Sequence, residues 1–353
     1  GELITIFDAD FIPPKDFLKK TVDYFYDSKV GILQVRWGHV NPEYSILTKA
    51  QSILLDGHFM IEQSSRFNNG LFFNFNGTAG VLRKSCIETS GGWQQDTLTE
   101  DLDLSYRAQL EGWKLIYLKD LIADAEVPVD MNAFKSQQHR WAKGTAQTAI
   151  KLLPRIFKRD DLSIKIKAEA LFHFFGYISY LPLLMLLLLM FPMGYFWQSV
   201  GIKYSVVFNM AAILAGTLSF VLFYLMTVFE AHRDKWYRYM LYVPITLSIG
   251  VGLTINNAKA VIEAFMGKSS GFVRTPKYAV TSKADVWISR NYVSSKQLTV
   301  MIEITLGIIF LVRMLYAVSE GDYGFVPFLL MLQFGFLYVA YYSFLHSRGK
   351  KII

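Results

Sequence analysis

From Ala168 onward the chain is dominated by apolar runs of bilayer-crossing length, and any fold for this sequence has to place them. They fall at about 168–196, 205–229, 239–257, 299–318 and 323–346. Residues 1–160 instead mix charged and apolar positions as a soluble domain does. The expectation is a chain in two parts: an α/β domain over 1–160, ending in an interfacial helix, and an α-helical transmembrane bundle over 161–353.

The distribution of charge orients the bundle. Lys and Arg concentrate in 151–167, 230–239, 267–297 and 347–353, whereas 197–204 holds only Lys203 and 319–323 holds none. The positive-inside rule puts the first group in the cytoplasm and the two short loops outside. The net charge of +7 therefore points to an anionic membrane surface and not to nucleic acid. Two crossings bring the chain back to 230–239, so 239–266 has to begin and end on the same side. Pro244, Gly250 and Gly252 interrupt this stretch, and Asn256, Asn257, Lys259 and Glu263 follow. It reads as an interfacial or re-entrant element, leaving four crossings at about 168–196, 205–229, 299–318 and 323–346. The single cysteine, Cys86, excludes an intrachain disulfide.

In the soluble part, strand and helix patterns alternate. A strand at 2–7 ends at Asp8-Ala9-Asp10, and Pro13-Pro14 opens a helix to about Asp27. Gly31–Trp37 is a second strand and 42–66 a long helix. Phe72–Leu82 is strand-like with a break at Asn76-Gly77. Helix over Glu100–Glu111, a short strand over Leu115–Leu118 and a helix over 133–157 complete the domain. The opening Gly1-Glu2-Leu3-Ile4-Thr5-Ile6-Phe7 reads as a central strand of a sheet already under way, so the first strands of the domain are expected to lie upstream.

Three short motifs carry chemistry. Asp8 and Asp10 follow a strand end, where open α/β sheets place ligands, and two carboxylates one residue apart can hold a divalent cation that neutralises a diphosphate. Alone, such a pair reads more readily as two solvated loop residues. Thr99-Glu100-Asp101 opens a helix, with Thr99 as N-cap. Acidic residues favour a first turn for dipole reasons, but a carboxylate there can also deprotonate a hydroxyl within hydrogen-bond reach. Gln137, Arg140 and Trp141 stand at i, i+3 and i+4 on one helix face, offering an amide, a guanidinium suited to phosphate and an indole for a sugar ring. Membrane anchoring alone also explains Arg and Trp at that place. Glu303 and Arg313 lie in or near an apolar span, where ionisable groups are costly and usually face the bundle interior, lining a path or stabilising helix packing.

In this order, and followed by apolar helices, the motifs resemble the processive family-2 glycosyltransferases, among them the cellulose, hyaluronan, chitin and mannan synthases. Gln34-Val35-Arg36-Trp37, Asn41, Phe75-Asn76-Gly77-Thr78-Ala79-Gly80, Gly91-Gly92-Trp93, Glu100-Asp101-Leu102-Asp103-Leu104 and Gln137–Trp141 are similar to the cellulose-synthase-like glucomannan and mannan synthases and their bacterial relatives. Phe272-Val273-Arg274-Thr275-Pro276-Lys277 resembles the gating loop F-x-V-T-x-K, with Arg274 where the family has Val.

The resemblance implies a GT-A-like domain lacking its first strands, docked on a membrane bundle. It implies inverting transfer of a hexose from a nucleoside-diphosphate sugar, UDP-glucose or GDP-mannose, to a growing polysaccharide coupled to translocation. Asp101 is then the base, and Asp10 with Asp8 binds Mg²⁺ or Mn²⁺. Asp8, Glu100, Gln137, Arg140, Trp141, Thr275 and Lys277 bind substrate, with the gating loop on the cytoplasmic side. The expected setting is the lipid bilayer of a bacterial inner (plasma) membrane, with the catalytic domain cytoplasmic. The alternatives are a non-processive enzyme with a glycolipid acceptor and a noncatalytic membrane scaffold or conduit.

Overall fold

The computed structural model describes residues 1–200, 204–271, 273–287, 297–321 and 323–347. Lys203, Phe272, the end of the basic segment at 288–296 and the tail at 348–353, all invoked above, lie outside the described residues. Strands β1 (Leu3–Ile6), β2 (Phe11–Ile12), β3 (Val30–His39), β4 (Gly80–Arg83) and β5 (Lys114–Ala125) form a mixed sheet in the order β1-β4-β3-β5-β2. The β3–β5 pair is parallel, and the other pairs are antiparallel.

Alternation along β3 makes the sheet two-sided. Ile32 packs with Phe59, Phe75, Leu82, Leu104 and Tyr117, whereas Leu33 and Val35 pack with Phe17, Val81 and Ala123 on the opposite face. Helix α1 (Phe17–Thr21) and a 3₁₀ turn at Val22–Tyr26 cover one side. The other carries α2 (Ile46–Asp56), a π-helical stretch at Gly57–Gln63, α3 (Ser64–Asn68), α4 (Lys84–Thr89) and α5 (Glu100–Leu110). Ser45 caps α2 through a reciprocal box with Thr48, which is why that helix starts later than the apolar pattern suggests.

Two strand expectations change. Only Gly80–Arg83 of the segment expected at 72–82 pairs as a strand. Positive φ at Gly77 (81°) and Ala79 (57°) turns the chain away from the ladder. Upstream, side chains take the backbone's hydrogen bonds, with Phe73 N–H donating to Gln109 and Phe75 N–H to Ser105. Conversely, β5 runs well past Leu118. A bulge between the pairs Val35–Leu118 and Arg36–Ile122 absorbs three extra residues and lets pairing resume to Ala125.

Helix α6 (Met131–Phe157) joins this domain to the apolar helices. Asp130 caps it, accepting from the backbone N–H groups of Asn132 and Ala133. The segment expected as one span at 168–196 consists of α7 (Ile164–Ile178) and α8 (Tyr180–Val200), bent by 51°. Ala170 and Phe174 of α7 pack with Leu102, Tyr106, Ala149 and Leu152, so this helix lies on the α/β domain. Beyond α9 (Tyr204–Ala231) and α10 (Trp236–Tyr239), α11 (Val243–Gly252) and α12 (Thr254–Phe265) belong to a second pair bent by 44°. Ala260, Val261 and Ala264 of α12 lie against Ala142 and Ala146 of α6, small side chains that let the two helices approach.

Helices α13 (Gln297–Ser319) and α14 (Val326–Ser347) complete the described chain. Both are long and apolar enough to cross a membrane, and each bent pair adds one more if counted as a single span. Glu303 of α13 meets Lys135 of α6 at 2.6 Å in a buried pair, giving it a helix-packing role. Arg313 is exposed, with its guanidinium over the Tyr316 ring.

The tightest helix approach is between α11 and α14. A Cβ on Gly335 would fall 2.0 Å from the Ser248 carbonyl oxygen, and one on Gly252 would fall 2.4 Å from that of Gly335. Gly335→Ala is therefore expected to force the pair apart and cost about 1–3 kcal/mol, lowering the unfolding temperature in detergent. Gly250→Ala, where the added methyl meets open space, is the control. An unchanged melting temperature for Gly335→Ala would contradict this packing.

Candidate active site

The two acidic motifs are far apart in sequence, and two close approaches bring them to one place. Gly144, inside α6, is the first. A Cβ there would stand 2.7 Å from the backbone nitrogen of Thr99, so only glycine lets the start of α5 rest on α6. Glycine in a helix interior costs about 1 kcal/mol against alanine, and close packing is a physical reason to bear that. Thr99 occupies the N-cap position as expected, but its hydroxyl faces Thr148 Oγ1 at 3.3 Å and makes no capping bond.

The second approach is at Gly77, where a Cβ would lie 3.1 Å from Asp101 Oδ2. The loop Asn76–Ala79 thus forms one wall around the Asp101 carboxyl. Gln34, fully buried in β3, holds that loop: its amide donates to the carbonyls of Val35, Thr78 and Ala79 and accepts from Asn76 N–H. Thr78 then reaches the other motif, its hydroxyl accepting from Asp8 N–H at 2.8 Å. His58 and Gln63, from the π-helical stretch, bond the Asn76 side chain. Gln34, Gly77, Thr78 and Gly144 all escaped the sequence reading as site-builders. Gln34, Gly77 and Thr78 stood in the matched segments without a role assigned to them, and the mid-helix Gly144 was a further signal that could have been used.

The charges are arranged around Arg140. Its guanidinium is stabilised by Asp101, Glu100 and Asp8, while burial, the larger effect, holds its pKa below the ordinary value. Asp101 sits in the first turn of α5, with Oδ1 accepting from Leu102 N–H at 2.9 Å. Burial, and then the neighbouring Glu100, push its pKa from 3.8 up to about 7 against the pull of Arg140. Asp8 is also raised, chiefly by burial and then by Asp10, with Lys277, Arg140 and Arg274 opposing. Asp103, in the same acidic run, serves structure by pairing with Arg107 and Lys151.

Lys277 closes the site from the far end of the sequence. Its ammonium lies 2.8 Å from Asp10 Oδ2 and also donates to the Glu126 carbonyl. Gln137 and Trp141 are half-buried side chains on α6 beside Arg140. Thr275 Oγ1 is buried and makes no hydrogen bond among the described residues.

Asp8 and Asp10 fit a hard divalent cation. They supply only oxygens, Asp10 raises the proton affinity of Asp8, and an ammonium already stands against Asp10. No third carboxylate, histidine or cysteine joins them among the described residues. A cation there would complete its shell with diphosphate oxygens and water, as Mg²⁺ does in phosphate sites.

Residues 3–231 match the family model described as glycosyl transferase family group 2. The chain is 42% identical over 175 residues to a probable glucomannan 4-beta-mannosyltransferase 4 of Oryza sativa subsp. japonica. It is also 42% identical over 175 residues to glucomannan 4-beta-mannosyltransferase 7 of Arabidopsis thaliana. Each match takes in 49% of this chain and 32% of the relative, so the shared segment spans about a third of those proteins. Among solved structures, the chain is similar to a mannosyltransferase, PcManGT, from Pyrobaculum calidifontis in complex with GDP-Man and Mn²⁺. The TM-score is 0.41 at 16% identity, covering 76% of this chain and 64% of that one. With the family model matching well over half of its residues, and with a mixed α/β sheet that gathers the matched acidic motifs, this chain belongs to glycosyl transferase family group 2, the glycosyltransferases of GT-A-like fold.

Proposed function

We propose that this protein catalyses inverting transfer of a hexose from a nucleoside-diphosphate sugar to the end of a growing β-linked polysaccharide. The observation that carries the proposal is Asp101, a carboxyl with its pKa raised to about 7, beside Gly77 and within the field of Arg140. A base poised near the working pH is what proton abstraction from a sugar hydroxyl requires. The names of the plant relatives favour a mannosyl donor such as GDP-mannose, with UDP-glucose the other candidate.

Asp101 takes the acceptor hydroxyl proton as that oxygen attacks the anomeric carbon. The bond from that carbon to the diphosphate oxygen breaks, and the diphosphate leaves with the electron pair. One displacement inverts the anomeric centre. Arg140, whose charge reaches both Asp101 and Asp8, stabilises the negative charge growing between them, assisted by Gln137. Glu100 raises the basicity of Asp101. Trp141 supports the terminal acceptor ring, and Thr275 and Lys277 close over the donor diphosphate. A bound Mg²⁺ or Mn²⁺ on Asp8 and Asp10 would neutralise diphosphate charge.

Four crossings, α8, α9, α13 and α14, with 239–266 turning back, are part of the same proposal. Several contacts to the α/β domain support it. Glu230, at the end of α9, lies 3.6 Å from Lys119, and Tyr239 donates to Glu43. After α12, Ser270 meets Lys143 and Lys277 meets Asp10. The stretch 239–266 therefore starts and ends beside the catalytic domain. His346 of α14 returns there too, accepting from Met131 N–H at 2.9 Å. The catalytic side is assigned to the cytoplasm on the charge of these segments.

Asp101→Asn is expected to abolish polymer formation while leaving nucleotide binding nearly intact, and near-normal turnover would remove Asp101 from the role. In the unsubstituted enzyme, kcat/KM should climb about tenfold per pH unit below pH 7 and level off above it, as the carboxyl ionises. The sign for stability is opposite. Because the folded pKa lies above the ordinary 3.8, folding favours the protonated form. The resulting penalty is absent below about pH 4 and grows as pH rises through 7. Asp101→Asn should thus unfold at a higher temperature than the unsubstituted protein at pH 8, with the gap closing at pH 4.

Chelation by EDTA is expected to stop transfer, and Mn²⁺ or Mg²⁺ to restore it. Full activity in protein shown to be metal-free would exclude the cation. For the topology, a cysteine introduced by Ser270→Cys should react with a membrane-impermeant thiol reagent only after cells are permeabilised, and one introduced by Glu320→Cys in intact cells. Labelling at position 270 from outside would rule out both the four crossings and the closing loop.

A further inference from the structure

Glu126 belongs to none of the motifs. It follows the last residue of β5 and precedes the Asp130 cap of α6 by four positions. Its side chain is nevertheless almost wholly buried (5% exposed), an expensive place for a carboxylate unless donors surround it.

The donors come from the loop carrying Thr275 and Lys277. Tyr278 N–H points between the two carboxylate oxygens at 3.1 and 3.2 Å, and Ala279 N–H donates to Oε2 at 2.9 Å. The Val280 backbone, next in line, also favours the ionised carboxylate, although burial is the larger effect and raises its pKa. Where the chain turns through a left-handed residue, successive N–H groups can converge on one anion and form a nest. Ala279 supplies that turn with φ of 56°, a conformation unfavourable for a side chain with a Cβ and held here by its surroundings. The same Glu126 presents its carbonyl to the Lys277 ammonium. Val280 and Trp287 pack beside it on Val129, and Tyr44 donates to the Asp285 carbonyl, so the loop is seated on both sides of the nest.

We infer that Glu126 is the positioning residue of this loop: its carboxylate, seated in the nest at 278–280, fixes the height at which Lys277 meets Asp10 and Thr275 faces the donor site. The inference rests on the reading of Lys277 and Thr275 as donor-site groups. Glu126 touches no reacting atom. It acts through the loop, and it links the loop's position to the start of α6, the helix that carries Arg140. Oε2 accepts from both Tyr278 and Ala279, while Oε1 shares the Tyr278 N–H, and the charge strengthens all of these contacts. Glutamine, with one oxygen and an amide donor in place of the other, satisfies only part of this pattern.

The test uses the full-length protein in detergent and has two readouts. Hydrogen exchange measured by mass spectrometry follows the peptide covering 273–287, and steady-state kinetics separate kcat from the KM for nucleotide sugar. Glu126→Gln is expected to speed exchange in that peptide about tenfold while β3, α5 and α6 keep their protection. It should raise the KM for donor about tenfold with a smaller change in kcat. Adding Ala279→Gly, which removes the strain of the left-handed turn, should recover part of both effects. Unchanged exchange at 273–287 in Glu126→Gln overturns the anchor. Exchange lost evenly through 100–157 makes Glu126 a general stabilising residue and overturns it too. A loosened loop with an unaltered KM overturns the role in the reaction. Failure of the unsubstituted protein to use any nucleotide sugar would count against the proposed function alone, since the exchange measurement stands without activity.

Discussion

Asp8, Glu100 and Asp101 come from two segments about ninety residues apart, and carboxylates gathered in a partly buried site repel one another unless a cation is lodged among them. Arg140 is that cation. All three acids stabilise its charge, and both Asp8 and Asp101 are in turn pulled toward ionisation by it. Neither side is neutralised completely: burial outweighs the attraction and leaves Asp101 much more basic than a free carboxylate. For the proposed reaction, that residual imbalance is the useful state. Full pairing would hold Asp101 ionised but a poor base, and no pairing would keep it protonated at neutral pH.

The imbalance survives because the backbone leaves these groups little freedom. The Gln34 side chain fixes the loop at 76–79 through its single amide, and that loop both walls Asp101 and accepts from the Asp8 backbone. A buried amide so fully bonded costs far more to displace than an exposed one, since any shift strands its partners without water. The close approach at Gly144 works the same way from the helical side, with backbone against backbone and no side chain to yield. Lys277 differs in kind. It arrives on a loop held by one carboxylate and a small apolar cluster, and so is the part of the site best able to move.

The sequence was legible wherever a residue's role depends on its own neighbours. Gly31–Trp37 was readable as a strand, but the centre of the sheet was expected at 2–7, which forms an edge among the described strands. Periodicity gave α5 and α6 to within two or three residues, and the spacing of Gln137, Arg140 and Trp141 gave their shared face. It was not legible where the partner is distant. Phe72–Leu82 has strand composition, yet most of its hydrogen bonds go to side chains of other segments, such as Ser105, Gln109 and Gln34. The apolar run at 168–196 did carry a signal that went unread: Pro182 has no N–H for the Ile178 carbonyl, and the 51° bend falls there, with α7 packed on α5 and α6. Glu126, by contrast, was invisible: its partners lie some 150 positions downstream. In the candidate site, the groups suited to chemistry were readable as motifs, and those that hold them in place mostly were not.

Helix α6 is where the two halves of the protein become one mechanical object. Its first turn is fastened to the last helix, with Met131 N–H donating to His346 and the Asn132 amide donating to the Ser343 carbonyl. One turn further, Lys135 forms its buried pair with Glu303 of α13, while Asn256 of α12 donates to the Lys135 carbonyl. A buried ion pair is a weak source of net stability but a strict one, because separating the partners strands a charge at a cost of roughly 3–5 kcal/mol. The apolar helices therefore cannot slide along α6 by small degrees. They keep this register or give it up altogether. Arg140 lies about one and a half turns beyond Lys135 on the same helix, so the register that seats α13 and α14 also sets where the guanidinium stands among its carboxylates.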